Sequence, residues 1–423
     1  MKKTSDQKDA QYQNKNRQTG SLEPRCEKIH ELGKDSIDIP PPCRSLADDL
    51  QRETPNTSQD LLLTTRAAMV DWLEEADREL EAKGPRRVAI DTEADSLHCY
   101  NEKLSLIQIQ AGTRAILIDP LAIDDLTPLF RFLDTTETWL HGMDYDLSLF
   151  QSTFDWTPPD AKDTQIAAQL AGFRRFGLAS LHEEVFDVKM SKESQRADWS
   201  MRPLTEEMIH YALGDVDRLL ELADHLLQQL EQKDRVGWFI QSCIASKRSV
   251  LGRPPKDRED SWRVKGFGRL SREGWAYLRE IWWWREHEAE RLNRPAFKVL
   301  PNGKMFFLID RILDGKTGDL RGRYNQAQKK RFAEAVERAT NLPKSEWPVK
   351  RRLGGVRKPE DLDENVARIK APRDRLAERL DLDPSLIVTR GGMEEIVMNP
   401  EAGWAALLPW QRSILEKAIR EDS

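Results

Sequence analysis

The sequence predicts an α/β protein in which a central mixed sheet carries helices on its faces, followed by one or two small all-helical domains. Three observations predict it. Short apolar and β-branched runs at 87–91, 104–110 and 115–118 are separated by polar turns and closed by Asp119-Pro120, as expected of successive strands. A mixture of helical patterns and short strands then follows at 126–133, 138–141, 146–152, 163–171 and 178–186, with a long helix from Thr205 to about Gln232; strands first and helices mixed in later give a sheet with helices on its faces. From Trp262 onward only helical spacing recurs. A chain of 423 residues is also too long for one ordinary domain.

Taking the elements in order, residues 1–60 are rich in Gln, Asn, Asp, Lys and Ser and include Pro40-Pro41-Pro42. With few aliphatics they cannot offset the entropy of ordering, which predicts a disordered tail. Met69, Leu73, Ala76 and Leu80 recur at helical spacing over 61–83, and Gly84-Pro85 stops that helix. The first strand, Val88-Ala89-Ile90-Asp91-Thr92-Glu93, ends in two acids. Side chains alternate along a strand, so Asp91 and Glu93 share a face. Two adjacent carboxylates repel, and binding a cation between them is the readiest way to keep both, which suggests a metal site.

Further candidate residues come later. A buried-looking strand ends at Leu140-His141-Gly142 and a helix begins at an acid, either Asp144 or Asp146; the two would face differently. The loop Arg196-Ala197-Asp198-Trp199-Ser200-Met201-Arg202-Pro203-Leu204 leads into the long helix, where Tyr211 and Asp215 stand four apart and share a face. Past a basic linker with Gly252 and Pro254-Pro255 lies a helix carrying Leu270, Trp275, Leu278, Ile281, Trp282 and Arg285, whose tryptophans fall at core spacing.

Composition excludes several classes. No apolar run approaches the roughly 20 residues needed to span a bilayer. The start has basic residues without an apolar segment behind them, so a soluble, cytoplasmic protein is expected. Cys26, Cys43, Cys99 and Cys243 form no metal or disulfide pattern. The net charge of −6 hides an asymmetry: residues 1–240 carry 28 Lys+Arg against 44 Asp+Glu, 241–370 carry 31 against 18, and 371–423 carry 7 against 10. An acidic half joined to a basic stretch fits a metal-binding part attached to one that attracts a polyanion. Gly315-Lys316-Thr317 lacks the upstream glycine of a phosphate-binding loop, so a nucleotide-driven helicase is unsupported.

The three motifs, Asp91-Thr92-Glu93, the turn ending at Asp146, and Tyr211-x-x-x-Asp215, together resemble the proofreading-type 3′→5′ exonucleases, most closely the ribonuclease D family. Gly177-Leu178-Ala179-Ser180-Leu181 and the loop at Asp198-Trp199 add to the likeness, and the family pattern selects Asp146 over Asp144. The segment from Trp284-Arg285-Glu286 to Arg294-Pro295-x-Phe297-Lys298-Val299-Leu300 resembles the helicase-and-RNase-D C-terminal (HRDC) domain, and 365–423 looks like a weaker copy. The resemblance implies a ribonuclease-H-like exonuclease domain over 61–245, a linker over 246–261, an HRDC-type domain over 262–345, a linker over 346–364 and a divergent second HRDC-like domain over 365–423.

It further implies two divalent cations, Mg²⁺ or Mn²⁺, with Asp91 bridging both, Glu93 and Asp215 on the nucleophile side, Asp146 on the leaving-group side, and Tyr211 orienting the attacking water. Thr92 and Leu149 are expected substrate contacts. The implied substrate is RNA with a free 3′ end, such as a tRNA precursor, with no membrane or nucleotide cofactor involved. A DNA 3′→5′ exonuclease and a catalytically silent RNA-binding scaffold stay open as rivals; the scaffold would normally have lost one of the acids.

Overall fold

In the computed structural model, residues 61–191, 193–254, 258–349 and 359–422 are described. The tail expected over 1–60, with Cys26 and Cys43, and much of the linker expected over 346–364 lie outside them.

Six strands form one sheet: β1 (Leu62–Leu63), β2 (Arg87–Ala94), β3 (Leu104–Ala111), β4 (Arg114–Ile118), β5 (Glu137–Leu140) and β6 (Asp160–Asp163), in the order β1-β4-β3-β2-β5-β6. β3 pairs antiparallel with β2 and β4 and the other pairings are parallel, so β3 alone runs against the rest of this sheet. The three strands read first from the sequence are the hairpin-connected β2, β3 and β4. β1 falls within the stretch expected to be helical; its Leu62 pairs with Leu117, and the helix begins only after Thr65, whose hydroxyl caps it by accepting from the Ala68 amide. β6 escaped because Asp160-Ala161-Lys162-Asp163 has neither β-branched nor aromatic residues.

One face of the sheet is covered by α1 (Arg66–Lys83) and α2 (Thr127–Leu133): Met69, Trp72 and Leu73 of α1 pack with Leu129 and Phe132 of α2 on Val88, Ile90, Ile107 and Ile109. At one end of the sheet lies α3 (Asp144–Phe154), which follows β5, and α4 (Thr164–Ala171) and α5 (Leu178–Phe186) come next. The long helix expected from Thr205 to Gln232 is two helices, α6 (Glu206–Val216) and α7 (Leu219–Gln232), separated by an extended Asp217 and a left-handed Arg218 with φ 58°. Apolar residues continue at helical spacing through the break, so the sequence gives no warning of it. The cause is packing: α6 lays Met208, Ile209 and Ala212 on Leu106 and Leu117, whereas α7 turns Leu222, Ala223 and Leu226 toward Trp139 and Leu140. One straight helix cannot cover both patches.

α8 (Val236–Leu251) runs through residue 245, where the sequence placed the end of the exonuclease. The helical half has two cores of its own. In the first, Trp262, Trp275, Trp282 and Trp284 are buried with Ile281, Met305 and Phe332 among α9 (Arg272–Arg291), α10 (Ala296–Val299), α11 (Asn302–Leu313) and α12 (Gln326–Asn341), so these tryptophans pack, as their spacing predicts. The second joins α13 (Leu362–Leu380), α14 (Pro384–Ile387), α15 (Arg390–Met398), α16 (Pro400–Ala405) and α17 (Pro409–Asp422). Both touch the sheet-bearing half. Tyr100, in the β2–β3 loop, packs on the first core, and Trp410 of α17 stacks on Trp238 at 4.7 Å between ring centres. Among the described residues no helix is long and apolar enough to cross a membrane.

Candidate active site

β2 is a central strand, and its last turns of pleat carry Asp91 and Glu93 toward the face covered by α6. Gln108 and Leu106 stand opposite them on β3. α6 crosses that face over β2, β3 and β4 and presents Asp215, one turn after Tyr211. Asp91, Glu93 and Asp215 each offer a carboxylate oxygen, and these oxygens all lie within 4.8 Å of one another.

Asp146 reaches the cluster from the first turn of α3. β5 pairs with β2 over Arg87–Ala89, so the helix that follows β5 starts beside the acidic end of β2. The turn between them is fastened by Asp163, the cap of α4, whose carboxylate accepts from the backbone N–H groups of Gly142 (2.9 Å), Met143 (3.0 Å) and Gln165 (2.7 Å). Asp146 is buried and accepts from the Thr92 hydroxyl at 2.5 Å. Asp144, the alternative acid, is exposed and paired with Arg253 across the surface. The two-residue difference in helical phase between Asp144 and Asp146 therefore separates a solvent-facing acid from a buried one.

Burial and mutual repulsion dominate the electrostatics. The Asp91 carboxyl is pushed well above the usual carboxylate range by burial, then by Asp146, Asp215 and Glu93. Burial, Asp215 and Asp146 raise Glu93 to about 9. Asp146 rises to about 7 through burial, opposed by the Thr92 hydroxyl, and Asp215 to about 7 through burial and Asp146, opposed by the Tyr211 hydroxyl that donates to it. Tyr211 is raised in turn by burial and by Asp215, Glu93 and Asp91, so it keeps its proton at neutral pH. Its ring lies 6.0 Å from that of buried Trp199. The Trp199 loop is tied down by Arg202, which donates to both oxygens of buried Asp119 (2.6 and 2.8 Å) and to the carbonyls of Ser105 and Trp199.

The donor set is all oxygen and free of histidine and cysteine, which suits a hard divalent cation and not zinc. Such an ion would offset the burial and the mutual repulsion that hold these pKa values up. Of the two expected substrate contacts, Thr92 is buried with its hydroxyl on Asp146, and Leu149 sits at 3% exposure in the apolar layer beneath the sheet. Leu149 lies three residues after Asp146, on a part of α3 turned toward that layer. Sequence reasoning missed Asp163 and Arg202 as supports of the site; an Asp at a helix start was the available signal for the first, and the partner of the second, Asp119, is distant in sequence.

A family model described as 3′-5′ exonuclease matches residues 64–231. Curated proteins named Ribonuclease D are similar over most of the chain. Those of Gluconacetobacter diazotrophicus and Pseudomonas paraeruginosa are each 30% identical, over 77% and 78% of this chain and 85% and 90% of their own. Among solved structures, Escherichia coli RNase D, described as an exoribonuclease involved in structured RNA processing, matches with a TM-score of 0.62 at 24% identity, covering 85% of this chain and 97% of its own. A protein from Bifidobacterium adolescentis matches with a TM-score of 0.71 at 23% identity, covering 85% and 95%. At these identities the structural matches show the shared fold.

Proposed function

The chain belongs to the ribonuclease D family and is a hydrolytic 3′→5′ exoribonuclease, and we propose that it removes nucleoside 5′-monophosphates from RNA 3′ ends by two-metal-ion hydrolysis, with tRNA precursors as substrates. The observation that carries this reading is the convergence of four acids from three separated segments, Asp91 and Glu93, Asp146, and Asp215, with the Tyr211 hydroxyl on Asp215. Two divalent cations, Mg²⁺ or Mn²⁺, bound there would activate the attacking water and stabilise the phosphate and the leaving oxygen.

The chain's own groups divide the remaining work. Asp91, Glu93, Asp146 and Asp215 would hold the ions, with the Thr92 hydroxyl steadying Asp146. Tyr211 positions the attacking water and does not take its proton, because a phenol raised above its ordinary pKa is a poor base at pH 7. The Trp199 loop fixes the Tyr211 ring, and Asp163 fixes the turn that delivers Asp146.

The basic residues of 241–370 attract the phosphate backbone and hold structured RNA while the acidic site cuts. The test compares, in Mg²⁺, degradation of a 3′-labelled tRNA precursor with that of single-stranded DNA of equal length. Faster loss of label from the RNA supports the reading, and a preference for DNA contradicts it. A 3′-phosphate on the RNA should block the reaction.

A further inference from the structure

The strand pattern Leu106-Ile107-Gln108-Ile109-Gln110 places two glutamines on the sheet face that carries the acids, and the catalytic account leaves both unused. Gln108 is fully buried, and neither its Oε1 nor its Nε2 has a hydrogen-bond partner. A buried carboxamide without partners is unfavourable, and an apolar side chain of the same length would avoid that penalty. Its surroundings explain the isolation on three sides. Leu106 lies two residues before it, Leu117 stands opposite it on β4, and Ala212 of α6 packs with both leucines.

On the fourth side the residue directly opposite Gln108 across the ladder is Asp91. Side chains directly opposed in an antiparallel pair have Cβ atoms about 5 Å apart, within reach of a glutamine amide and a carboxylate. Gln110, also buried but with only its Oε1 unpartnered, has no acid across the ladder: its partners are Ala89 and Ala115.

We propose that Gln108 is a positioning residue for the metal site, its Nε2 donating to the Asp91 carboxylate when the site holds its cation, which fixes the orientation of that carboxylate. A carboxylate shared between cations has lone pairs left over and several orientations open to it. A neutral donor locks one orientation without adding charge that would compete with the metal. The inference rests on the two-metal reading of the cluster.

The test uses the full chain with Gln108→Met, and Gln110→Met as the control. Mn²⁺ affinity is measured by calorimetric titration, kcat and KM on RNA at saturating Mn²⁺, and Tm without metal. Gln108→Met should weaken Mn²⁺ binding and lower kcat, each by about tenfold, with KM nearly unchanged and the metal-free Tm not reduced. Gln110→Met should leave Mn²⁺ affinity and kcat as they are. If Gln108→Met does not fold, Gln108→Asn, which withdraws the amide by one methylene, should show the same loss in smaller measure.

Unchanged Mn²⁺ affinity and kcat in the folded Gln108 variant, or an equal loss in Gln110→Met, would overturn the inference. The two-metal reading fails differently, by absence of Mn²⁺ binding in the unaltered protein or by full activity in Asp91→Asn.

Discussion

Two buried acidic sites in this molecule are handled in opposite ways. Glu288, in the helical half, is 2% exposed, and its carboxylate receives Arg331, Arg291 (2.6 Å) and Gln328 (3.3 Å). Burial pushes its pKa up, but those three donors outweigh burial and hold it below the ordinary value. In the exonuclease half, Asp91, Glu93, Asp146 and Asp215 are brought together with two hydroxyls as side-chain donors, Thr92 and Tyr211, and all four are pushed up. The fold can neutralise a buried carboxylate with its own arginines, as it does at Glu288 and at Asp119. At the end of β2 it leaves the charge to be balanced from outside, which is the signature of a cation site.

The largest effect that can break this contrast is catalytic. Asp91→Asn, Glu93→Gln, Asp146→Asn and Asp215→Asn should each lower kcat by on the order of a thousandfold, corresponding to about 4 kcal/mol of transition-state stabilisation, with circular dichroism unchanged. Asp144→Asn should be nearly silent, because that side chain pairs with Arg253 at the surface; a reversal of the two would move the leaving-group ligand to Asp144. Next in size, Tyr211→Phe should reduce kcat roughly tenfold to a hundredfold while RNA affinity holds, and an unaltered kcat would leave Tyr211 a packing partner of Trp199.

These residues also show what was legible in the sequence. The acids of β2 stood out because strand alternation alone puts Asp91 and Glu93 on one face. The i, i+4 pair Tyr211 and Asp215 stood out for the same kind of reason on a helix. The choice of Asp146 over Asp144 needed the family pattern, because helix phase at a first turn depends on where the turn at Gly142 releases the chain, and that is set by Asp163 from another segment. The break at Asp217-Arg218 was illegible because it answers to two separate packing surfaces and carries no glycine or proline. β6 was illegible because its pairing with β5 holds it in place and side-chain propensity does not.

A third prediction concerns stability and should differ in sign between the two sites. Glu288→Leu leaves Arg291, Arg331 and Gln328 without their acceptor and should destabilise the protein by about 1–3 kcal/mol in denaturant unfolding, with catalysis at the remaining folded fraction unchanged. Asp91→Asn should leave the metal-free protein as stable or more so, because it removes one of four mutually repelling acids. Loss of stability in both variants would erase the contrast.

The smallest expected effect is the pH dependence. An acid whose folded pKa is raised holds its proton more tightly in the folded state. It costs no stability below its unfolded pKa near 4, and its full cost stands once pH exceeds the folded value. His141 and His182, both lowered to about 4 chiefly by burial, act below about pH 6.5 and are silent above it. Between pH 7 and 9 the balance is left to the acidic cluster: Asp146 and Asp215, each near 7, Glu93, near 9, and Asp91, pushed well above the usual carboxylate range. The metal-free protein should therefore lose Tm across that window, and Mg²⁺ should restore more of it at pH 9 than at pH 7.

The most direct test of the central claim is the melting temperature at pH 8 of the unaltered chain and of Asp91→Asn, each with and without Mn²⁺. Mn²⁺ should raise Tm of the unaltered chain by several degrees and leave Asp91→Asn nearly unmoved. An equal rise in both, or none in the unaltered chain, would contradict it.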